Sequence, residues 1–300
     1  MKFSWLLGML FLSQQMNMPD SLLIINNGRP IMNISPTDFS INLPGVPMIN
    51  TEKFYTFMDN IEKSVSKKPV NAFIDKDGHI IPEQVGYRFN REAFTEKFYA
   101  HYFNNDLTQL EVPLSPIYPE IDSELLGTIL SEKIGTYVTT FNTNNKKRTN
   151  NIFLAVQGIN NYIVFPGETF SFNQVVGQRT VKKGYLPAPV FINGRLSEDI
   201  GGGVCQVSST LFNAVDNAGL QVIQRFPHSR KVSYIPTGRD ATVSWNGPDF
   251  VFKNIYHQPI LIQAHTLENK LTIEIYSSDV INYIPKKAPR LPHDQKYRPK

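Results

Sequence analysis

Apolar residues at Phe94, Phe98, Tyr99 and Tyr102 fall near one face of a helix that Asn90 can cap and Asn104-Asn105 can end. The same period returns at Val204, Val207, Leu211, Ala214, Val215 and Ala218, opened by three glycines at 201–203 and closed by Gly219. Asn151 to Ile159 is also apolar at helical spacing. Elsewhere the period is two. Gly135 to Phe141 has the β-branched and aromatic content of a strand, and Val164 to Phe172 reads as a turn followed by a strand. Pro259–His265 and Lys270–Tyr276 predict a hairpin, and Val70–Pro82 predicts another around Asp77-Gly78. Asp75-x-Asp77 opens like a calcium loop, but the later oxygen ligands and terminal glutamate are missing, so the hairpin is the reading kept. Asn26-Asn-Gly-Arg-Pro30 is turn chemistry.

These elements predict an α+β protein of mostly antiparallel strands with a few helices, in two domains. The proline-broken connector Val112–Pro119 and a short helix over Ser123–Leu130 place the boundary near residue 130. Residues 1–18 read as a signal peptide or short anchor, 19–69 as extended or loosely structured, 70–130 as a first module, 131–284 as a second domain, and 285–300 as a basic, disordered tail. No internal repeat is evident.

Composition narrows the class. At 300 residues and 41% hydrophobic content the chain can build a proper core. The formal charge of +4 is small and its basic residues are dispersed, which argues against nucleic acid; an anionic wall polymer could use such a surface, as could plain solvent. One lysine followed by Phe3 to Leu12 has the order of a secretory signal and is too short to span a bilayer. Cleavage and retention as an anchor both stay open.

An exported chain with one cysteine, Cys205, cannot form an internal disulfide. Its thiol is reactive, paired between molecules, or packed as a small hydrophobe. Cys205 opens the helix after Gly201-Gly-Gly, where backbone N–H groups and the helix dipole favour a thiolate. The same turn can present N–H groups to an oxyanion. Of six histidines, His228 in Arg225-Phe-Pro-His-Ser-Arg230 is the best base, because one helix and a short strand separate it from Cys205. Asp240 can orient that imidazole or simply form a turn. Arg239 can clamp a substrate carboxylate or pair with Glu198 or Asp199. Ser208 and Ser209 offer hydroxyls near the thiol, or bond to the backbone. One cysteine and scattered histidines give no close metal-ligand spacing, and no cofactor is called for.

Together, Pro166-Gly-Glu-Thr-Phe-Ser-Phe-Asn173, Gly201-Gly-Gly-Val-Cys-Gln-Val-Ser-Ser-Thr-Leu211, His228-Ser229 and Gly238-Arg-Asp-Ala-Thr-Val243 resemble the VanW family over roughly residues 131–277. Residues 70–128 more weakly resemble the peptidoglycan-binding-like module that often precedes such a domain. The resemblance implies a bacterial envelope protein that acts on peptidoglycan stem peptides. It implies L,D-transpeptidase chemistry, with Cys205 as nucleophile, His228 as base and the Gly203–Val204 backbone as oxyanion donor; Asp240 is the orienting group that the residues offer beside them. Ser229, Ser208 and Arg239 would contact substrate. Two other functions share these residues: a non-catalytic wall-binding or assembly protein, and a cysteine peptidase that resolves the same acyl-enzyme with water.

Overall fold

A computed structural model describes residues 21–41, 48–104, 107–192 and 195–291, and divides the chain into two compact units. The first comprises residues up to 71 together with 83–120; the second comprises 72–82 and everything from 121 onward. The signal segment 1–18 lies outside the described residues.

In the first unit, Leu22–Asn26 pairs antiparallel with Arg29–Ile34 across a turn in which Asn27 and Gly28 have φ of 50° and 71°. Gln109–Glu111 adds in parallel on the other side. Helix α1 (Thr51–Val65) is capped by the Asn50 side chain, which accepts from the Lys53 N–H at 3.0 Å. Helix α2 (Arg91–Asn104) is capped by Asn90 in the same way, through Ala93 at 3.0 Å. Phe54, Phe57, Met58, Ile61 and Val65 of α1 and Phe94, Phe98 and Tyr102 of α2 are buried in one aromatic cluster, in which the Phe54 and Phe98 rings lie 4.6 Å apart. Burial of each such side chain is worth about 1.5–3 kcal/mol. The expectation of a loosely structured 19–69 is corrected by the strand pair and α1. The Asn, Gly and Pro punctuation there marks turns between elements, while positions 54, 57, 58, 61 and 65 follow a helical face.

The second unit begins with the Phe73–Ile74 and Ile80–Ile81 hairpin, whose Gly78 has φ of 86°. Because that hairpin shares a buried cluster with Leu126, Ile129 and Leu261, the 70–130 stretch is not one module. Residues 70–71 and 83–120 fold with the first unit, and 72–82 and 121–130 with the second. Helix α3 (Ser123–Ile129) leads into a four-stranded antiparallel sheet ordered Glu132–Thr140, Lys270–Ser277, Ile260–Leu267, Tyr162–Val164. A second sheet joins Thr169–Ser171, Val251–Lys253 and Gln221–Gln224. Between the strands of this unit come helices α4 (Lys146–Ile159), α5 (Phe172–Val176) and α6 (Val204–Asn217), and a hairpin of Pro187–Ile192 with Arg195–Ile200 precedes α6. Val207, Leu211, Ala214 and Val215 of α6 are fully buried in the same core as Ile134, Tyr137, Ile273 and Ile275 of the four-stranded sheet. The fold is therefore mixed α+β, with antiparallel pairing throughout the second unit.

The expected disordered tail is ordered at its start. Lys286 N–H donates to the Asn217 carbonyl at 2.9 Å, Ala288 N–H to Asn217 Oδ1 at 2.6 Å, and the Tyr137 hydroxyl to the Pro289 carbonyl at 2.6 Å. Its prolines and lysines obscured this because the tail contributes backbone groups to these bonds, and Ala288 is its one buried side chain among the described residues. Residues 292–300 lie outside the described ones. Among the described residues no helix is long and apolar enough to cross a membrane.

Candidate active site

The nucleophile candidate is placed by the glycine turn. Gly203, the residue before α6, has φ of 109°, in the left-handed region that favours glycine. A Cβ on Gly202 would sit 2.5 Å from the Ala188 carbonyl oxygen, so the chain passes this point only without a side chain. The turn sets Cys205 in the first turn of α6, half-buried, with its thiol toward the Val243 carbonyl at 3.5 Å. The Val204 N–H already donates to the Gly201 carbonyl at 3.1 Å. That corrects its expected use as an oxyanion donor. No hydrogen bond from the Gly203 or Cys205 N–H to a described residue competes with such a use.

Most of the following polar residues are structural. Gln206 is buried, donating to Thr139 Oγ1 at 3.0 Å and the Thr140 carbonyl at 2.9 Å while accepting from Arg148 at 2.7 Å. Ser208 donates to the Ala241 carbonyl at 2.6 Å and is fully buried, so it is not open to substrate. Ser209 accepts from the Ala241 N–H at 2.8 Å. These two hydroxyls pin residue 241 against α6, one position from Asp240.

Asp240 is thereby held beside His228. One carboxylate oxygen accepts from the His228 backbone N–H at 2.5 Å and lies 2.6 Å from ring Nδ1. Arg225 supports the acid from behind, donating to the Asp240 carbonyl at 2.6 Å and approaching its other carboxylate oxygen at 3.4 Å. The Cys205 thiol is in turn among the groups whose interaction with the His228 imidazole favours its charged form. Cys205, His228 and Asp240, picked from separate stretches of sequence, meet at one point. Burial works against a charged imidazole, but the thiol and Asp240 outweigh it and raise His228 above its ordinary value. Burial likewise pushes the Asp240 carboxyl up, and the hydrogen bonds from His228 overcome this and leave it below the usual range. Each group thus stabilises the charged form of the other.

Two of the expected contacts lie elsewhere. Arg239 pairs with Asp216 at 2.6 Å, donates to Asn213 at 2.7 Å and stacks 4.6 Å above the Phe212 ring. Its fork is filled, and neither Glu198 nor Asp199 is the partner. Ser229 is exposed and lines a cavity of about 240 Å³ together with His228, Arg230, Lys231 and Asp240; Cys205 is not part of that lining.

Three neighbours of the thiol were not visible in the sequence pattern. Arg148 on α4 and Arg179 after α5 both interact electrostatically with Cys205, and burial lowers the pKa of each guanidinium. Tyr234 interacts electrostatically with Cys205, Arg148 and Asp240, its hydroxyl pushed well up by burial. Arg148 sits in a basic loop-to-helix run that reads as solvated surface, and Tyr234 carries no local signal at all. Among the described residues no three or more His, Cys, Asp or Glu side chains gather as a metal site requires.

A half-buried thiol at a glycine-led helix start, backed by a paired histidine and aspartate, defines an α+β protein with a cysteine-centred constellation in its second unit. The family model described as VanW like protein matches residues 147–276, which contain all three groups. The uncharacterized protein YoaR of Bacillus subtilis (strain 168) is 50% identical over 285 residues, covering 95% of this chain and 94% of that protein. The vancomycin B-type resistance protein VanW of Enterococcus faecalis (strain ATCC 700802 / V583) is 35% identical over 109 residues, 35% of this chain and 40% of that one. The chain belongs to the VanW family. No solved structure matches it.

Proposed function

We propose that this protein is a cysteine-dependent acyltransferase of the cell envelope that acts on peptidoglycan stem peptides, an L,D-transpeptidase in outcome. The observation that carries the reading is the convergence of Cys205, His228 and Asp240. The signal-like amino terminus and the similarity to a vancomycin-resistance protein support a place at the wall.

The chemistry follows from the arrangement. Nδ1 of His228 faces Asp240, which leaves Nε2 to take the thiol proton. The sulfur attacks the amide carbonyl of the donor stem, and the resulting oxyanion is met by the Gly203 and Cys205 N–H groups. As the C–N bond breaks, the imidazolium returns its proton to the departing amine, leaving a thioester on Cys205. An amine of a second stem then attacks the thioester, gives its proton through His228, and restores the thiol. Water in place of that amine would give hydrolysis, so the outcome depends on how the acceptor side excludes water.

Incubating the purified protein with tetrapeptide stems and an amine acceptor tests this. The expected result is a new amide crosslink and a mass adduct on Cys205, both lost in Cys205→Ala. A Cys205→Ala protein that crosslinks at the parent rate would overturn the reading, as would a folded parent that forms neither adduct nor product.

A further inference from the structure

We infer that Arg148 and Arg179 form an anion-binding subsite beside Cys205, which holds a free carboxylate of the substrate next to the bond under attack. Their stems lie along the glycine turn itself. A Cβ on Gly203 would meet Arg148 Cγ at 2.9 Å, and one on Gly201 would meet Arg179 Cβ at 3.2 Å. Both are largely enclosed, yet neither pairs with a carboxylate of a described residue. Arg148 donates to the neutral amide oxygen of Gln206 at 2.7 Å, and Arg179 to the neutral Gly177 carbonyl at 3.3 Å. Nη2 of Arg179 is buried with no partner. The carboxylate that Arg179 senses, Asp249, is occupied by Ser171 at 2.6 Å and by the N–H groups of Asn173 and Phe250 at 2.9 and 2.8 Å.

This contrasts with the other enclosed arginines of the unit. Arg225 and Arg239 each have a carboxylate partner, at 3.4 and 2.6 Å. Enclosing a guanidinium without a counter-ion is unfavourable, and an unfilled N–H group adds to that. Two such cations flanking one thiol are compensated when an anion arrives. A planar guanidinium fork matches a carboxylate in geometry as well as charge.

The identity of that anion rests on the acyl-transfer reading. In a stem peptide cut at its end, the nearest anion to the attacked carbonyl is the free α-carboxylate of the terminal residue that departs. The subsite would then select donors by their free terminus and make the enzyme act only on the last amide bond.

Alkylation of Cys205 separates the subsite from the reaction. Iodoacetate and iodoacetamide deliver nearly the same group to sulfur with loss of iodide, and differ in the carboxylate. With rates normalised to those of free cysteine, the parent should prefer iodoacetate by about fivefold or more, from one charge-assisted contact. Arg148→Gln and Arg179→Gln should each lower that ratio, whatever happens to the iodoacetamide rate, and Arg179→Lys should retain part of it. Absence of any preference in the parent, which needs no variant to fold, overturns the subsite. So does a fall in both rates at constant ratio, the result expected if the arginines act only on the thiolate. Tetrapeptides with a free or an amidated terminus then test the link to function, with only the free acid consumed. An iodoacetate preference without turnover of either peptide would leave the subsite standing and remove the acyl-transfer reading; equal turnover of both would remove the terminal carboxylate as its ligand.

Discussion

A single carboxylate oxygen of Asp240 holds His228 twice, by its backbone N–H at 2.5 Å and by ring Nδ1 at 2.6 Å. The acid therefore fixes both where the histidine sits and which nitrogen carries the proton. An Asn at this position can still accept the backbone bond. Turned the other way, its amide donates to Nδ1 and places the ring proton on Nε2, where it blocks acceptance from the thiol. Asp240→Asn should slow acyl transfer by on the order of a hundredfold with little change in substrate KM. It should also lower the pH at which the His228 ring titrates, because one of the groups that raises it is gone. Imidazole NMR titration of the folded variant checks the second effect. An unchanged titration would show that Asp240 is only a turn residue.

The same pair predicts a pH window for stability. The His228 value is raised above the ordinary 6.5, so its share of stability is complete below that pH and is lost as pH rises through the folded value. The Asp240 value is lowered from 3.8, so its share is complete above that pH and is lost as pH falls through the folded value. The pair should stabilise most in the mildly acidic interval between these two ordinary values. Thermal unfolding of the parent and of Asp240→Asn across pH should give the largest difference in Tm inside that interval, narrowing on both sides. A difference that grows steadily toward alkaline pH would contradict the assignment.

How much of this was legible in the sequence depends on distance along the chain. Cys205, with its glycine turn and helical period, is a local pattern, and His228 and Asp240 stand in short recognisable blocks. Arg148 and Arg179 are not legible, because what distinguishes them is the lack of a carboxylate partner among the described residues after folding, which no window of sequence displays. Arg239 misled for the complementary reason. Its carboxylate, Asp216, lies across the fold on the last turns of α6, while Glu198 and Asp199 are nearer the thiol in sequence. Helix α1 shows a different failure, since its aromatic face was written plainly and the turn residues around it drew the weight.

Ser209 and Ser208 both tie α6 to residue 241, but they should not be equivalent. The Ser209 hydroxyl is the acceptor for the buried Ala241 N–H at 2.8 Å, and removing it leaves that donor unfilled. Ser209→Ala should cost about 1–3 kcal/mol in stability. Ser208 only donates, to carbonyls at 2.6 and 3.1 Å, and its loss should cost less. Because the strap carries Asp240 to His228, Ser209→Ala should also weaken the ring contact and slow iodoacetamide capture of Cys205. Denaturant unfolding and alkylation of both variants give the comparison. Equal stability losses with undisturbed alkylation would mean that the hydroxyls pack the core without positioning the acid.

Removal of residues after 284 tests whether the segment expected to be disordered is part of the second unit. The cut deletes the Lys286 and Ala288 bonds to Asn217 and the Pro289 carbonyl that the Tyr137 hydroxyl reaches at 2.6 Å. Tyr137 stands on the edge strand Glu132–Thr140, and Asn217 also donates to the Thr136 carbonyl at 2.8 Å, so the segment ties that strand to the end of α6. Three bonds at the usual net worth predict a loss of roughly 2–4 kcal/mol. Replacing Tyr137 with Phe, which keeps the ring and removes only the hydroxyl, should account for about 1 kcal/mol of it. Hydrogen exchange should show faster opening of residues 132–140 in the truncated chain, with α4 less affected. If truncation leaves both Tm and strand protection at parent values, the carboxyl-terminal segment carries none of the stability that its hydrogen bonds assign to it.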